Sequence, residues 1–120
     1  MSDPSQIHHE IDYIELAVTD LVEAKRFYRE AFGWEFNDYG DAYAGIRRSS
    51  GGEVGGLRLD EAVDAGGPLV ILYSNDLEAS AESVRRAGGD LVGEIVSFPG
   101  GRRFRFRDPS GNVLAVWSDR

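Results

Sequence analysis

The chain contains no cysteine. Disulfides, thiolate nucleophiles and cysteine-ligated zinc are therefore excluded together. Histidine is nearly absent as well: His8 and His9 are the only two, adjacent and ahead of the first recognisable element. In a strand they would point to opposite sides, so they make a poor metal-binding pair. No apolar run exceeds a few residues, far short of the roughly 20 needed to cross a bilayer. The opening Met1-Ser2-Asp3-Pro4-Ser5-Gln6 lacks the basic and apolar regions of a secretory leader, so a cytoplasmic location and no membrane partner are expected. Excess positive charge is missing too. Lys and Arg number 13 against 21 Asp and Glu, a formal charge of −8. That balance disfavours nucleic acid as a partner, because phosphate contacts need net cation. It favours solubility and the steering of cations.

What is present supports one folded domain. The chain has 120 residues, 42% of them apolar, with two Trp, five Tyr and six Phe. Residues 12–18 alternate: Ile14, Leu16 and Val18 on one side, Tyr13, Glu15 and Ala17 on the other. Asp20 then stands as a helix N-cap, and Leu21, Ala24, Phe27, Tyr28 and Ala31 recur at helical spacing until Gly33. Strands are expected from Trp34 through Phe36, over Ala42–Arg48 and over Val54–Leu59. Residues 60–68 read as a small-residue acidic linker. The plan then repeats with a strand at Leu69–Ser74, an N-cap at Asp76, and a helix carrying Leu77, Ala81, Val84 and Ala87 on one face. Gly88-Gly89 stops that helix, and strands follow at Leu91–Ser97, Arg102–Arg107 and Asn112–Ser118. A shift of 56 residues places Asp20 on Asp76 and Gly33 on Gly89.

The expected architecture is therefore α+β: two tandem βαβββ modules forming a curved mixed sheet around a cleft. Residues 1–10 are expected to form a flexible tail and 11–120 a single domain, with modules at about 11–60 and 68–118. If each helix covers one face of its sheet, the other faces line the cleft. Tyr13 and Glu15 then face it from the first module. Leu69, Ile71, Tyr73 and Trp117 face it from the second.

Two stretches carry a family resemblance. Ile11 through Leu21, followed by Ala24-Lys25-Arg26-Phe27-Tyr28 and Phe32-Gly33-Trp34, resembles the opening strand and helix of the glyoxalase/bleomycin-resistance/dioxygenase, or vicinal oxygen chelate, superfamily. Phe106-Arg107-Asp108-Pro109-Ser110-Gly111-Asn112 resembles its closing hairpin. The resemblance implies a glyoxalase-like fold and, commonly, a homodimer. It also implies four places where metalloenzymes of the family carry His or Glu ligands. Here they fall on Tyr13, on Leu69 (or Val70 one register away), on the stretch Gly55–Leu57, and on Ala115. None offers a usual ligand, so neither a family-type metal nor any other cofactor is expected.

The remaining candidates surround the cleft. Glu15 reads in two ways: a general base or counter-charge for a ligand, or half of an ion pair with an Arg. Tyr13 reads as a hydrogen-bond donor or as filling for the metal's space. Tyr73 and Trp117 read as aromatic walls or as packing. Arg103, Arg105 and Arg107 share one strand face and read either as a carboxylate or phosphate site or as a solvated edge. Glu53 reads as solvent-exposed in a Ser-Ser-Gly-Gly-Glu loop. Gly51-Gly52 and Gly55-Gly56 make no phosphate loop, since no Lys-Ser/Thr follows. Two functions compete. One is a metal-independent protein, similar to the bleomycin-resistance members, that binds a modest-sized organic ligand, with a cationic one suiting the acidic surface. The other is a glyoxalase-like lyase or isomerase using Glu15 or noncanonical metal ligands. A third reading is an accessory subunit with a vestigial cleft.

Overall fold

A computed structural model describes residues 6–64 and 66–120. Residues 1–5 of the expected tail and leader reading, and Ala65 of the linker, lie outside the described residues. The elements follow the expected order: β1 (Ile14–Val18), α1 (Leu21–Phe32), β2 (Phe36–Asp38), β3 (Tyr43–Arg47), β4 (Glu53–Leu59), β5 (Ile71–Tyr73), α2 (Leu77–Ala87), β6 (Asp90–Phe98), β7 (Gly101–Arg107) and β8 (Val113–Ser118). They form two four-stranded sheets, β1-β4-β3-β2 and β5-β8-β7-β6, which are not closed into a barrel. In each, the first strand runs parallel to the last and the other pairs run antiparallel. The mixed sheet is thus two halves, one per βαβββ module.

Both helices start as the caps dictate. The Asp20 carboxylate accepts from the Glu23 backbone N–H at 3.0 Å, and that of Asp76 from Ala79 at 3.1 Å. Each cap stabilises its helix by about 1 kcal/mol. The apolar stripes of α1 and α2 are buried as their spacing requires. The internal repeat slips at the helix ends. Gly88, at φ 99°, takes the left-handed cap of α2, whereas Gly33 caps α1. Gly89 serves another purpose: a Cβ there would come within 2.8 Å of Phe27 and Val84. One glycine turns the chain and the next admits the neighbouring helix.

Other details also differ from expectation. β2 begins at Phe36 because Trp34 leaves the helix to lie flat on Tyr28, with ring centroids 4.4 Å apart and planes 10° apart. β5 is confined to Ile71–Tyr73, leaving Leu69 just ahead of it. His8 and His9 sit in a turn, where their rings stack at 3.8 Å instead of pointing apart.

The two modules share one core. Phe104 and Phe106 of β7 are buried, and Phe106 meets Phe27 and Phe32 of α1 at 6.1 and 5.5 Å between centroids. A polar latch crosses the same seam. The buried Asp108 carboxylate accepts from the Tyr28 hydroxyl at 2.8 Å, from the backbone N–H groups of Ser110 and Asn112, and from the Asn112 side chain. Asn112 Nδ2 also donates to the Ala17 carbonyl of β1 at 2.7 Å. The closing-hairpin motif therefore fastens the second module to the strand and helix of the first. Burial, reinforced by Asp108, pushes the Tyr28 phenol well above its ordinary pKa.

Candidate ligand-binding site

The face of the first sheet away from the helices is polar. Tyr13, just ahead of β1, meets Tyr43 of β3 hydroxyl to hydroxyl at 2.7 Å. Tyr43 also contacts Glu15 at 3.0 Å, and the other Glu15 oxygen accepts from Arg58 Nε at 2.9 Å. Arg58 further donates to Asp60. The Glu53 carboxylate accepts from Tyr39 at 2.5 Å and from Asn37 at 2.9 Å. Two glycines make room for this layer. Gly45 and Gly56 are cross-strand partners. A Cβ on Gly56 would lie 2.0 Å from the Tyr43 hydroxyl and 2.6 Å from that of Tyr13, and one on Gly45 would lie 2.2 Å from the Glu53 carboxylate. Desolvation first, then the bonds to Tyr13 and Glu15, raise the pKa of Tyr43. The bonds from Tyr39 and then Asn37 hold the Glu53 carboxyl below its usual range.

The equivalent face of the second sheet is apolar and basic. Tyr73 sets its ring edge-on to Trp117 at 5.3 Å and donates its hydroxyl to Asp119 at 2.7 Å. The Phe98 ring lies 6.3 Å from that of Trp117. Ile71, Val96, Phe98, Arg103 and Trp117 line a cavity of about 560 Å³. A second cavity, about 740 Å³, lies where the modules meet and is bordered by Tyr13, Glu15, Arg58, Leu69 and Ile71. Ile71 borders both. These volumes suit a small organic molecule.

Every expected site residue lies on one of these faces, but they do not converge. Tyr13 and Glu15 belong to the polar network, Tyr73 and Trp117 to the aromatic wall, and Arg105 pairs in register with Ala115. Glu15 does have the arginine partner that one reading required, and it is Arg58, which the sequence pattern had not singled out. The alternation Leu57-Arg58-Leu59 carried that signal, because Leu57 is fully buried. Glu53 is a correction. It opens β4, and its carboxylate lies on the sheet instead of in a solvent-exposed loop. Arg47 pairs with Glu53 and Ile46 with Gly55, which leaves Val54 as a bulge that turns Glu53 onto this face.

The four positions to which the resemblance assigns metal ligands do not fit a divalent ion. Tyr13 is held by Tyr43, Leu69 is aliphatic, Gly56 has no side chain, and Ala115 is a fully buried methyl. No group of three His, Cys, Asp or Glu side chains converges among the described residues. This donor set lacks the imidazole and carboxylate ligands that such an ion needs.

Residues 10–116 match the family model for the Glyoxalase/Bleomycin resistance protein/Dioxygenase superfamily. The chain belongs to this superfamily. A glyoxylase-like domain-containing protein of Didymella fabae is 27% identical, covering 92% of this chain and 94% of its own. The anthracycline biosynthesis protein DauV of Streptomyces sp. (strain C5) is 29% identical over 88% of this chain, which spans only 45% of DauV. Among solved structures, a glyoxalase-related enzyme from Fulvimarina pelagi superposes with a TM-score of 0.76 at 22% identity, covering 92% of this chain and 88% of that one. The superfamily's two-module plan is thus present here. No described helix is long and apolar enough to cross a membrane.

Proposed function

We propose that this member of the superfamily is a metal-independent small-molecule binding protein, with its ligand held against the concave face of the second module. The carrying observation is the aromatic cavity of Ile71, Phe98 and Trp117, with the buried Ala115 paired to Ile71 where the resemblance implied a ligand. An apolar, aromatic concavity with few polar groups is the usual form of such a site. Tyr73 supports the Trp117 wall, its ring edge-on to Trp117 and its hydroxyl bonded to Asp119. The lyase or isomerase reading needs Glu15 available to a substrate, and both of its oxygens are already engaged by Arg58 and Tyr43.

Thermal-shift and calorimetric screening of a metabolite and antibiotic panel in chelator-treated buffer tests this. A ligand that raises the melting temperature without added metal, and loses affinity in Trp117→Leu, supports it. Binding or turnover that appears only with a divalent ion overturns it.

A further inference from the structure

The arginines of β7 divide by the side of the sheet they occupy. Arg102 leans to the helix side, and its Nη2 donates to both oxygens of Glu78 at 2.7 and 2.8 Å. Phe104 and Phe106 share that side and are 2% and 0% exposed. Alternation therefore puts Arg103, Arg105 and Arg107 on the opposite, concave side. Most arginines of this acidic chain meet a carboxylate, Arg26, Arg58 and Arg102 among them. Arg103, Arg105 and Arg107 meet none among the described residues, in a chain carrying 21 acidic side chains. Shortage of carboxylate is not the reason.

The register gives one. Arg105 pairs with Ala115, and Arg103 with Trp117. A glutamate at position 115 would stand directly across from Arg105 and neutralise it. Alanine offers no such counter-charge, and Arg105 stands two residues along β7 from Arg103, which lines the aromatic cavity. On the other module the carboxylates outnumber the cations: Glu15 and Asp60 share Arg58, and Glu53 is held by the neutral donors Tyr39 and Asn37, so that face has no spare cation for an acid.

We infer that the cavity takes an aromatic carboxylate, its ring against Trp117 and Phe98 and its acid group held by Arg103 and Arg105. The inference rests on the binding-protein reading and names the ligand class. Arginine suits the task because its planar fork matches a carboxylate bidentately and stays charged at any physiological pH.

Calorimetry with 2-naphthoate, its neutral amide and 2-naphthylmethylammonium tests it on the full chain, with folding of each variant checked by circular dichroism. The wild type is expected to bind the acid about tenfold or more tighter than the amide, the size of a charge-assisted pair. The amine should bind weakest. The double variant Arg103→Gln/Arg105→Gln should bring acid and amide within about twofold while keeping amide affinity. Trp117→Leu should weaken all three together. Equal binding of the three probes by the wild type, or an acid preference that survives in the double variant, overturns the inference and leaves the binding-protein reading standing. A double variant that changes oligomeric state with its acid preference intact does the same and assigns the arginines to a contact between copies. Failure of every probe at millimolar concentration removes both.

Discussion

Gly45 and Gly56 face each other across β3 and β4, and what lies on them decides the chemistry of the first module. With hydrogens as side chains, they let two phenols and a carboxylate lie flat against the backbone. Gly56→Ala would push the Tyr43 hydroxyl away from Tyr13 and Glu15. We expect a loss of about 1 kcal/mol in urea unfolding, the scale of a lost hydrogen bond. In a Tyr13→Ala/Tyr43→Ala background the same substitution should cost much less, because both clashing hydroxyls are gone, and equal costs in both backgrounds would show that the glycine serves something else. Glu53 gives a pH signature. Its folded pKa lies below the unfolded value, so the stability it contributes is complete above the ordinary glutamate range and is lost as pH falls through the folded value. Glu53→Gln should therefore lower the melting temperature at pH 7 more than at pH 3. A difference that does not shrink on acidification would remove Tyr39 and Asn37 as the cause. Neither residue's role was legible from the sequence. Glu53 reads as loop because the bulge at Val54, which reverses its side, leaves no mark in the alternation. The pairing of charges was equally hidden: strand periodicity assigned Glu15 and the β7 arginines to faces, but only the register reveals that Arg58 takes Glu15 and leaves Arg103 and Arg105 free.

At the scale of elements, the caps and apolar stripes were readable because each is a local signal: Asp20 and Asp76 three residues before the N–H they accept, and buried residues at three- and four-residue spacing. The slip from Gly89 to Gly88 was not, because either glycine can adopt the left-handed cap and the choice depends on Phe27 arriving from the other module. The turn between β7 and β8 shows why a short motif can mark a whole fold. Asp108 satisfies two backbone donors of its own turn and the Tyr28 hydroxyl of α1, while Asn112 reaches the backbone of β1. Tyr28→Phe should cost about 1–2 kcal/mol in chemical denaturation. Asp108→Ala should cost more, roughly 3 kcal/mol, because it strands several buried donors at once. An Asp108→Ala variant within about 0.5 kcal/mol of wild type would mean that the turn holds without its carboxylate, and that the latch is the packing of Phe106 on Phe27 and Phe32.

For the whole molecule, the arrangement of the strands bears on association. The second sheet ends at β6, nine residues long and unpaired on its outer side among the described residues. Ile95, Val96 and Phe98 are 38%, 51% and 40% exposed there. The opposite edge of the first sheet is only the three residues of β2. A long, apolar, unpaired edge recruits another chain unless charge or a bulge protects it. β6 has one such irregularity, between Val92 and Val96, and its apolar residues continue past it to Phe98. The expected consequence is self-association through this strand, consistent with the homodimer that the family resemblance implied. Light scattering should give about twice the 13.2 kDa of one chain at micromolar concentration. Ile95→Lys should return it to the monomer with the fold intact by circular dichroism, since the substitution charges an exposed edge and removes no core side chain. A wild type that stays monomeric to high concentration would refute the contact and leave the exposed apolar edge to the cavity, where Val96 already forms part of the wall. A dimer untouched by Ile95→Lys would place the interface elsewhere, and β1 and β5, whose Ile14 and Ile71 are also 40% and 46% exposed, would be the next edges to charge.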